Sequence, residues 1–277
     1  MSFQKILKIS RPRFWVYILG PFLIGATVQD YNLAINNIYF WLFLIYFTFP
    51  ANILIYGVND IFDYETDKLN PKKVQYEAFV SKKEHKNLWF IIIATNLPFL
   101  LLLSQLSFNY IIFFGLFLFF AIQYSAKPIR AKAVPILDSL FNILYIMPAI
   151  SGYYITQDTS LDIKTILAGC LWSMAMHSYS AIPDIKADKA SKTPTIATLF
   201  GFNLTVLYCF LLYSTAYFLS IPYLGIFSHL FGFVYLSLMV VTFFNGSKKS
   251  FSIYKLFPIV NTSLGFLLFW ILIYNQL

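Results

Sequence analysis

The stretch GVNDIFDYETDKLN, residues 57 to 70, sets Asn59, Asp60, Asp63, Glu65 and Asp67 directly behind a long apolar run. Its acids follow the pattern N-D-x-x-D-x-x-x-D. If a helix continues through it, Asn59, Asp63 and Asp67 fall within an arc of ~80° and Asp60 lies ~100° from Asn59, beside the same face. The strip of side chains is then ~12 Å long. A second pair, Asp184 and Asp188, stands in YSAIPDIKADKASKTPTIAT with the same four-residue step. Pro183 suits the first turn of a restarted helix, so a break is expected there. Stacked carboxylates repel and take up protons unless something positive neutralises them. Lysines can do so, but a hard divalent cation suits oxygen-only ligands better. Mg²⁺ takes one or two carboxylates, keeps waters and completes its shell with substrate phosphate. Two facing strips can therefore hold a diphosphate between them through bridging Mg²⁺. A solvated acidic face is the alternative for either cluster alone; two matched clusters on one side of a charge-poor chain favour the metal reading.

The elements that carry these acids are membrane spans. Of 277 residues 59% are hydrophobic and only 12% charged, too little charge to cover a water-soluble surface of this size. Nine apolar runs are long enough to cross a bilayer or nearly so: Phe14–Val28, Ile38–Val58, Leu88–Ser104, Phe108–Tyr124, Ile136–Ile155, Thr165–Ile182, Phe202–Ser220, Tyr223–Phe244 and Leu256–Tyr274. They lack barrel alternation, so the expected fold is all-α, a polytopic membrane protein in one domain over residues 1–277. The net charge of +8 does not read as nucleic-acid binding, because its placement follows topology. Lys5, Lys8, Arg11 and Arg13 precede the first span, and lysines 68, 72, 73, 82, 83 and 86 lie between the second and third. Lys127, Arg130 and Lys132 follow the fourth, Lys186, Lys189 and Lys192 the sixth, and Lys248, Lys249 and Lys255 the eighth. With nine spans all of these face one side and only Lys164 the other. The positive-inside rule then makes the amino terminus and both aspartate motifs cytoplasmic. The first span lacks a small-residue cleavage site behind it and is expected to be retained. Cys170 and Cys209 sit inside spans and read as buried thiols.

The motifs carry a resemblance. YGVNDIFDYETDKLNPKK looks like the first aspartate motif of the UbiA superfamily of membrane prenyltransferases, and PDIKAD like its second. SRPRFWVYILGPFLIG (10–25), QYSAKPIRAKAVPILDSLFN (123–142) and IPDIKADKASKTPTIATLFG (182–201) resemble the carotenoid branch, the lycopene elongases. The resemblance implies helices around a central cavity with the motifs at its cytoplasmic mouth, and Mg²⁺-dependent transfer of a prenyl group from an allylic diphosphate to a hydrophobic acceptor. By position Asn59, Asp63 and Asp67 correspond to the first motif and Asp184 and Asp188 to the second, with Asp60 supporting the metal site. Asp63, Asp67, Asp184 and Asp188 are then the catalytic acids. Many relatives carry Arg-Pro and Ser-Gly after the first motif; here KKVQYEAFVSKKEHK (72–86) stands instead.

The residues support such chemistry directly. A leaving diphosphate needs its charge neutralised as the carbon–oxygen bond breaks. Arg11, Lys72, Lys73, Lys127, Arg130 and Lys192 all lie on the motif side. Arg11 and Arg130 are preferred because each sits in a matched stretch and arginine offers a bidentate fork; setting topology is the competing role for each. The allylic cation needs a dry, aromatic lining, for which Tyr124 and Tyr179 are candidates. His177, seven residues before Asp184, shares its face on an unbroken helix and can accept the released proton or simply bond a neighbouring helix. Asn142 and Asp138 are one turn apart and can orient substrate or hold helices together. His85 and His229 belong to no constellation. The expected donor is dimethylallyl diphosphate and the expected acceptor a linear carotenoid such as lycopene. An aromatic acceptor of quinone, haem or chlorophyll synthesis is the second reading. A transporter or lipid-binding protein is the third, disfavoured because the acids gather at one membrane face instead of the midplane. A phospholipid-headgroup transferase needs Asp-Gly and Ala-Arg within the cluster, which Tyr64–Thr66 do not supply.

Overall fold

The computed structural model describes residues 1–68 and 78–276, apart from the Thr66 side chain, and among these all regular structure is helical. Helices occupy each of the nine apolar runs. Five stretches, Ile38–Phe62, Lys82–Gln105, Ile196–Leu224, Ile226–Asn245 and Phe257–Tyr274, are long and apolar enough to cross a membrane. Val16–Thr27 and Phe108–Gln123 are shorter apolar helices. The chain forms two compact units. The first comprises Met1–Ile129, Met147–Asp158 and Leu268–Leu277, the second Arg130–Ile146 and Thr159–Leu267.

In the first unit Val16–Thr27 crosses Met147–Thr156 with backbone nearly touching backbone. A Cβ on Gly25 would stand 1.8 Å from the Ala149 carbonyl oxygen, and one on Gly152 2.6 Å from that of Phe22. Only glycine permits this approach, the usual device for joining helices in lipid. The second apolar run bends at Phe49, because Pro50 has no N–H to continue the ladder. Lipid offers no water to the carbonyls left over, so side chains must serve them. Asn52 Nδ2 donates to the oxygens of Phe47 (3.2 Å) and Thr48 (2.9 Å). Asn96 Nδ2, from His85–Leu102, donates to Pro50 O at 3.3 Å. Around this bend Phe43, Tyr46, Phe47, Phe114 and Phe117 form a buried aromatic core.

In the second unit Ile163–Ser180, Ile196–Leu224 and Ile226–Asn245 pack in series around Ala175, Val206, Cys209, Tyr213, Tyr235 and Met239. Tyr213 stacks on Tyr235 at 4.8 Å between centroids. The fifth apolar run departs from the single helix expected over 136–155. It breaks into Leu137–Leu140, a 3₁₀ segment Phe141–Tyr145 and the helix Met147–Thr156. Pro135 and Pro148 cannot donate, and Ile136 takes φ +75°. The freed groups find partners in side chains: Asn142 Nδ2 donates to Asp138 O at 2.6 Å, and Ser173 Oγ donates to Asn142 O.

Candidate functional site

The first aspartate motif lies at the end of Pro50–Phe62, in the first unit. The regular helix stops at Phe62, yet the four-residue step survives. Asp63 N donates to Asn59 O (2.9 Å) and Asp67 N to Asp63 O (2.8 Å). Asn59 Nδ2 donates both to Asp63 Oδ2 at 2.9 Å and to Ser125 Oγ at 3.0 Å. A carboxylate only accepts, so the atom facing Asp63 must be the amide nitrogen. Asn59 thereby presents its Oδ1, the atom that can ligate a cation, away from Asp63. Ser125 was not singled out from sequence. It is buried, 66 residues from Asn59, and nothing in its local pattern marks it.

Asp60 does not join the strip. It is buried, and its Oδ1 accepts from Arg11 Nη2 at 3.0 Å while the guanidinium carbon stands 4.5 Å over the Tyr56 ring. The exposed Glu65 pairs with Lys82 at 2.7 Å. Further on, Lys5 Nζ meets Glu84 at 2.6 Å, and Ser81 donates to Glu84 from both N (3.0 Å) and Oγ (2.8 Å). Although burial opposes it, these bonds hold the Glu84 carboxyl down at about 2. Lys72 and Lys73 lie outside the described residues.

The second motif lies in the second unit. Ile163–Ser180 ends in a turn over 181–184, and a short helix Ile185–Ala190 begins behind Asp184. Pro183 therefore stands just ahead of the restarted helix. The break separates His177 from Asp184, so the shared face expected on an unbroken helix is not formed. Asp188 N donates to Asp184 O at 2.8 Å, which keeps the pair one turn apart. Asp184 is exposed and Asp188 half-buried. Burial, and then the neighbouring Asp184 carboxylate, push the Asp188 carboxyl up to about 6, against a hydrogen bond from Thr195 that lowers it. Thr195 Oγ1 reaches Asp188 Oδ2 at 3.4 Å and also caps Ile196–Leu224. The T-x-x-T spacing ahead of that helix is a signal sequence reading missed. Asp138, 1% exposed, braces the same helix start, accepting from Ile196 N at 2.8 Å and Ser139 N at 3.0 Å.

The remaining candidates divide. Tyr179 is fully buried, bonded to Thr242 Oγ1 at 2.7 Å and stacked on Phe257 at 4.5 Å, so it serves the core of the second unit. Asn142 is buried in the Asp138 network and His177 is half-buried within its helix. Tyr124 is half-buried and caps Phe108–Gln123. Arg11, Arg130 and Lys192 share one feature. Their φ angles are +50°, +47° and +54°, in the left-handed region that non-glycine residues avoid. Such strain persists where surrounding contacts impose it, and it gathers at functional sites.

Among the described residues no three His, Cys, Asp or Glu side chains converge into a metal cage. The donor set nonetheless suits Mg²⁺. The first motif offers carboxylates and an amide oxygen, the second a carboxylate pair, and this ion leaves part of its shell to substrate phosphate.

Residues 18–273 match the model of the UbiA prenyltransferase family. The chain is 37% identical to a lycopene elongase/hydratase of Haloarcula japonica over 74% of its own length and 69% of the relative's. It is 37% identical to one of Halobacterium salinarum, over 75% of each. A lycopene elongase/hydratase of Corynebacterium glutamicum is 33% identical over 71% of this chain and 69% of its own. Among solved structures, a UbiA homolog from Archaeoglobus fulgidus bound to GPP and Mg²⁺ superposes with a TM-score of 0.69 at 17% identity, covering 96% of this chain and 99% of that one. The apo structure of a UbiA homolog from Aeropyrum pernix does so with a TM-score of 0.69 at 18% identity, covering 93% and 98%. These structural likenesses speak for the fold.

Proposed function

The chain belongs to the UbiA prenyltransferase family, and we propose that it transfers a five-carbon prenyl group from dimethylallyl diphosphate to a linear carotenoid such as lycopene. It is a multi-pass membrane protein and a prenyltransferase. The donor, the acceptor and the residue roles are our reading, and so is the treatment of residues 1–277 as one catalytic domain. The observation that carries it is the pair of aspartate steps, 59–63–67 and 184–188, each kept in register by backbone hydrogen bonds. The similarity to lycopene elongase/hydratases over nearly three quarters of the chain supports the choice of acceptor. The lysine and arginine distribution supports a cytoplasmic location for the amino terminus and both motifs.

Asn59, Asp63 and Asp67 with Asp184 and Asp188 would hold Mg²⁺ and, through it, the diphosphate. The metal supplies charge neutralisation of the leaving group when bound. Arg11, Arg130 and Lys192 add N–H donors whose backbones are already fixed in strained conformations, so that little ordering remains at the moment of reaction. Cleavage of the allylic C–O bond leaves the electron pair on the diphosphate and a cation on the prenyl carbon. Apolar, aromatic walls keep water from that cation until the terminal double bond of the carotenoid forms the new C–C bond. The charge then rests on the acceptor and is discharged by loss of a proton or by capture of water. Expression in a bacterium that accumulates lycopene tests the reading. Pigments heavier by one or two five-carbon units, absent with Asp63→Asn, are expected. Unchanged lycopene beside well-inserted protein would overturn the carotenoid assignment.

A further inference from the structure

One acid of the first motif is buried against a guanidinium. Asp60 is 3% exposed, and its Oδ1 lies 3.0 Å from Arg11 Nη2. One turn earlier on the same helix, Tyr56 lies beneath the guanidinium, 4.5 Å from Cζ to the ring centroid. Phe14 flanks that ring at 6.0 Å. Arg11 holds φ +50° in this position. The turn around it is fixed by Arg11 N donating to Lys8 O (3.2 Å), Phe14 N donating to Arg11 O (2.8 Å) and Trp15 Nε1 donating to Ser10 O (3.0 Å). The strain is thus imposed from both sides, by the local turn and by the helix that receives the side chain.

We propose that Asp60 is a positioning residue rather than a metal ligand: with Tyr56 it clamps the Arg11 guanidinium at the end of the helix that carries Asn59 and Asp63, presetting the guanidinium for the diphosphate of the prenyl donor. This rests on the prenyltransferase reading above. To ligate a cation, the buried Asp60 carboxylate would have to give up its charge-assisted bond to Arg11, which is costly. Asn59 and Asp63 are bonded to each other, and Asn59 also to Ser125. The guanidinium offers a planar fork of N–H donors matched to phosphate, and 16% of the Arg11 side chain remains exposed. Fixing the fork before substrate arrives removes an ordering cost from binding. The arrangement also explains how adjacent residues of one motif take different tasks: on a helix, neighbours in sequence point ~100° apart.

The test uses the purified full-length protein in detergent, with inorganic diphosphate and MgCl₂ as probes and thermal stabilisation as readout, beside turnover with dimethylallyl diphosphate. Asp60→Asn should weaken inorganic diphosphate binding and raise the KM for dimethylallyl diphosphate by about tenfold. The Mg²⁺ concentration at half-effect and the KM for the carotenoid should stay unchanged. Asp60→Glu should recover part of the loss. Arg11→Ala should lose at least as much, and the double variant no more than Arg11→Ala alone, as coupled residues do. A raised Mg²⁺ requirement with normal diphosphate binding would make Asp60 a metal ligand and overturn the proposal. Unchanged binding of both would reduce the pair to a structural contact. If Asp60→Asn fails to insert, Tyr56→Leu removes the ring without altering charge; a loss of about threefold in diphosphate affinity is expected, and none would equally overturn the clamp. A wild-type protein that inorganic diphosphate and Mg²⁺ do not stabilise would instead sink the metal–diphosphate reading of the motifs, and this inference with it.

Discussion

The two aspartate motifs share a four-residue step but are held in opposite ways. At the first, the protein has already assigned partners. Asp60 accepts from Arg11, Asp63 accepts from Asn59, and Asn59 is pinned by Ser125 from the turn behind Phe108–Gln123. At the second, Asp184 is exposed, Asp188 is half-buried, and Thr195 Oγ1 reaches Asp188 across a long 3.4 Å. The first motif is thus a rigid platform built on a buried helix end. The second is a short, more exposed helix on which the Asp184 carboxylate raises the pKa of Asp188. An oxygen-seeking cation would find preset side-chain orientation at the first and a mutually repelling carboxylate pair at the second.

The largest effect should come from removing one carboxylate in each. Asp63→Asn and Asp184→Asn should each cut turnover by about a thousandfold or more while leaving membrane insertion intact. Residual activity near wild type in both would break the assignment of the motifs to metal and diphosphate. A smaller effect should separate their bracing. Ser125→Ala frees the Asn59 amide to turn, so the Mg²⁺ concentration for half-maximal stabilisation by inorganic diphosphate should rise about tenfold, as loss of an outer-shell partner does. Thr195→Ala removes a long contact to Asp188 together with the cap of Ile196–Leu224; it should lower thermal stability and shift that requirement only about twofold. Equal shifts would erase the contrast drawn here.

The smallest effect is a slope with pH. Asp188 sits at about 6 in the folded protein against an ordinary 3.8, so the folded state holds this proton more tightly than the unfolded chain. Its destabilising contribution is complete above about pH 6 and is relieved as pH falls towards 4. Metal-free protein should therefore gain thermal stability from this group on acidification from pH 7 to 5. Asp188→Asn should lose that component, and saturating Mg²⁺ should suppress it by favouring the carboxylate. Glu84 runs the other way. Its carboxyl, held at about 2, contributes stability above its ordinary 4.5 that fades as pH falls towards 2, so the two windows are separable. A metal-free profile identical in wild type and Asp188→Asn would show that the second motif carries no strained charge.

Much of this molecule is legible along the chain because the bilayer simplifies the problem. Apolar length marks the spans, charge asymmetry suggests orientation, and N-D-x-x-D-x-x-x-D with P-D-x-x-x-D marks the motifs. Membership of the prenyltransferase family, expected from those motifs, is shown by the family match across 18–273. The four-residue steps follow from helical geometry and need no tertiary information. What could not be read was the destination of each polar group. Composition does not reveal that Pro50 bends its span and recruits Asn52 and Asn96, nor that the run over 136–155 breaks and is held by Asp138, Asn142 and Ser173. Asp60 and Asp63 are the same residue type three positions apart, yet one is buried on Arg11 and the other hydrogen-bonded to Asn59. The order of residues along the chain set the inventory of charges and their spacing. Only the tertiary structure decided which were spent on one another, because a hydrogen bond in a low-dielectric interior goes to whichever partner a distant helix brings within 3 Å, and that distance is set by packing.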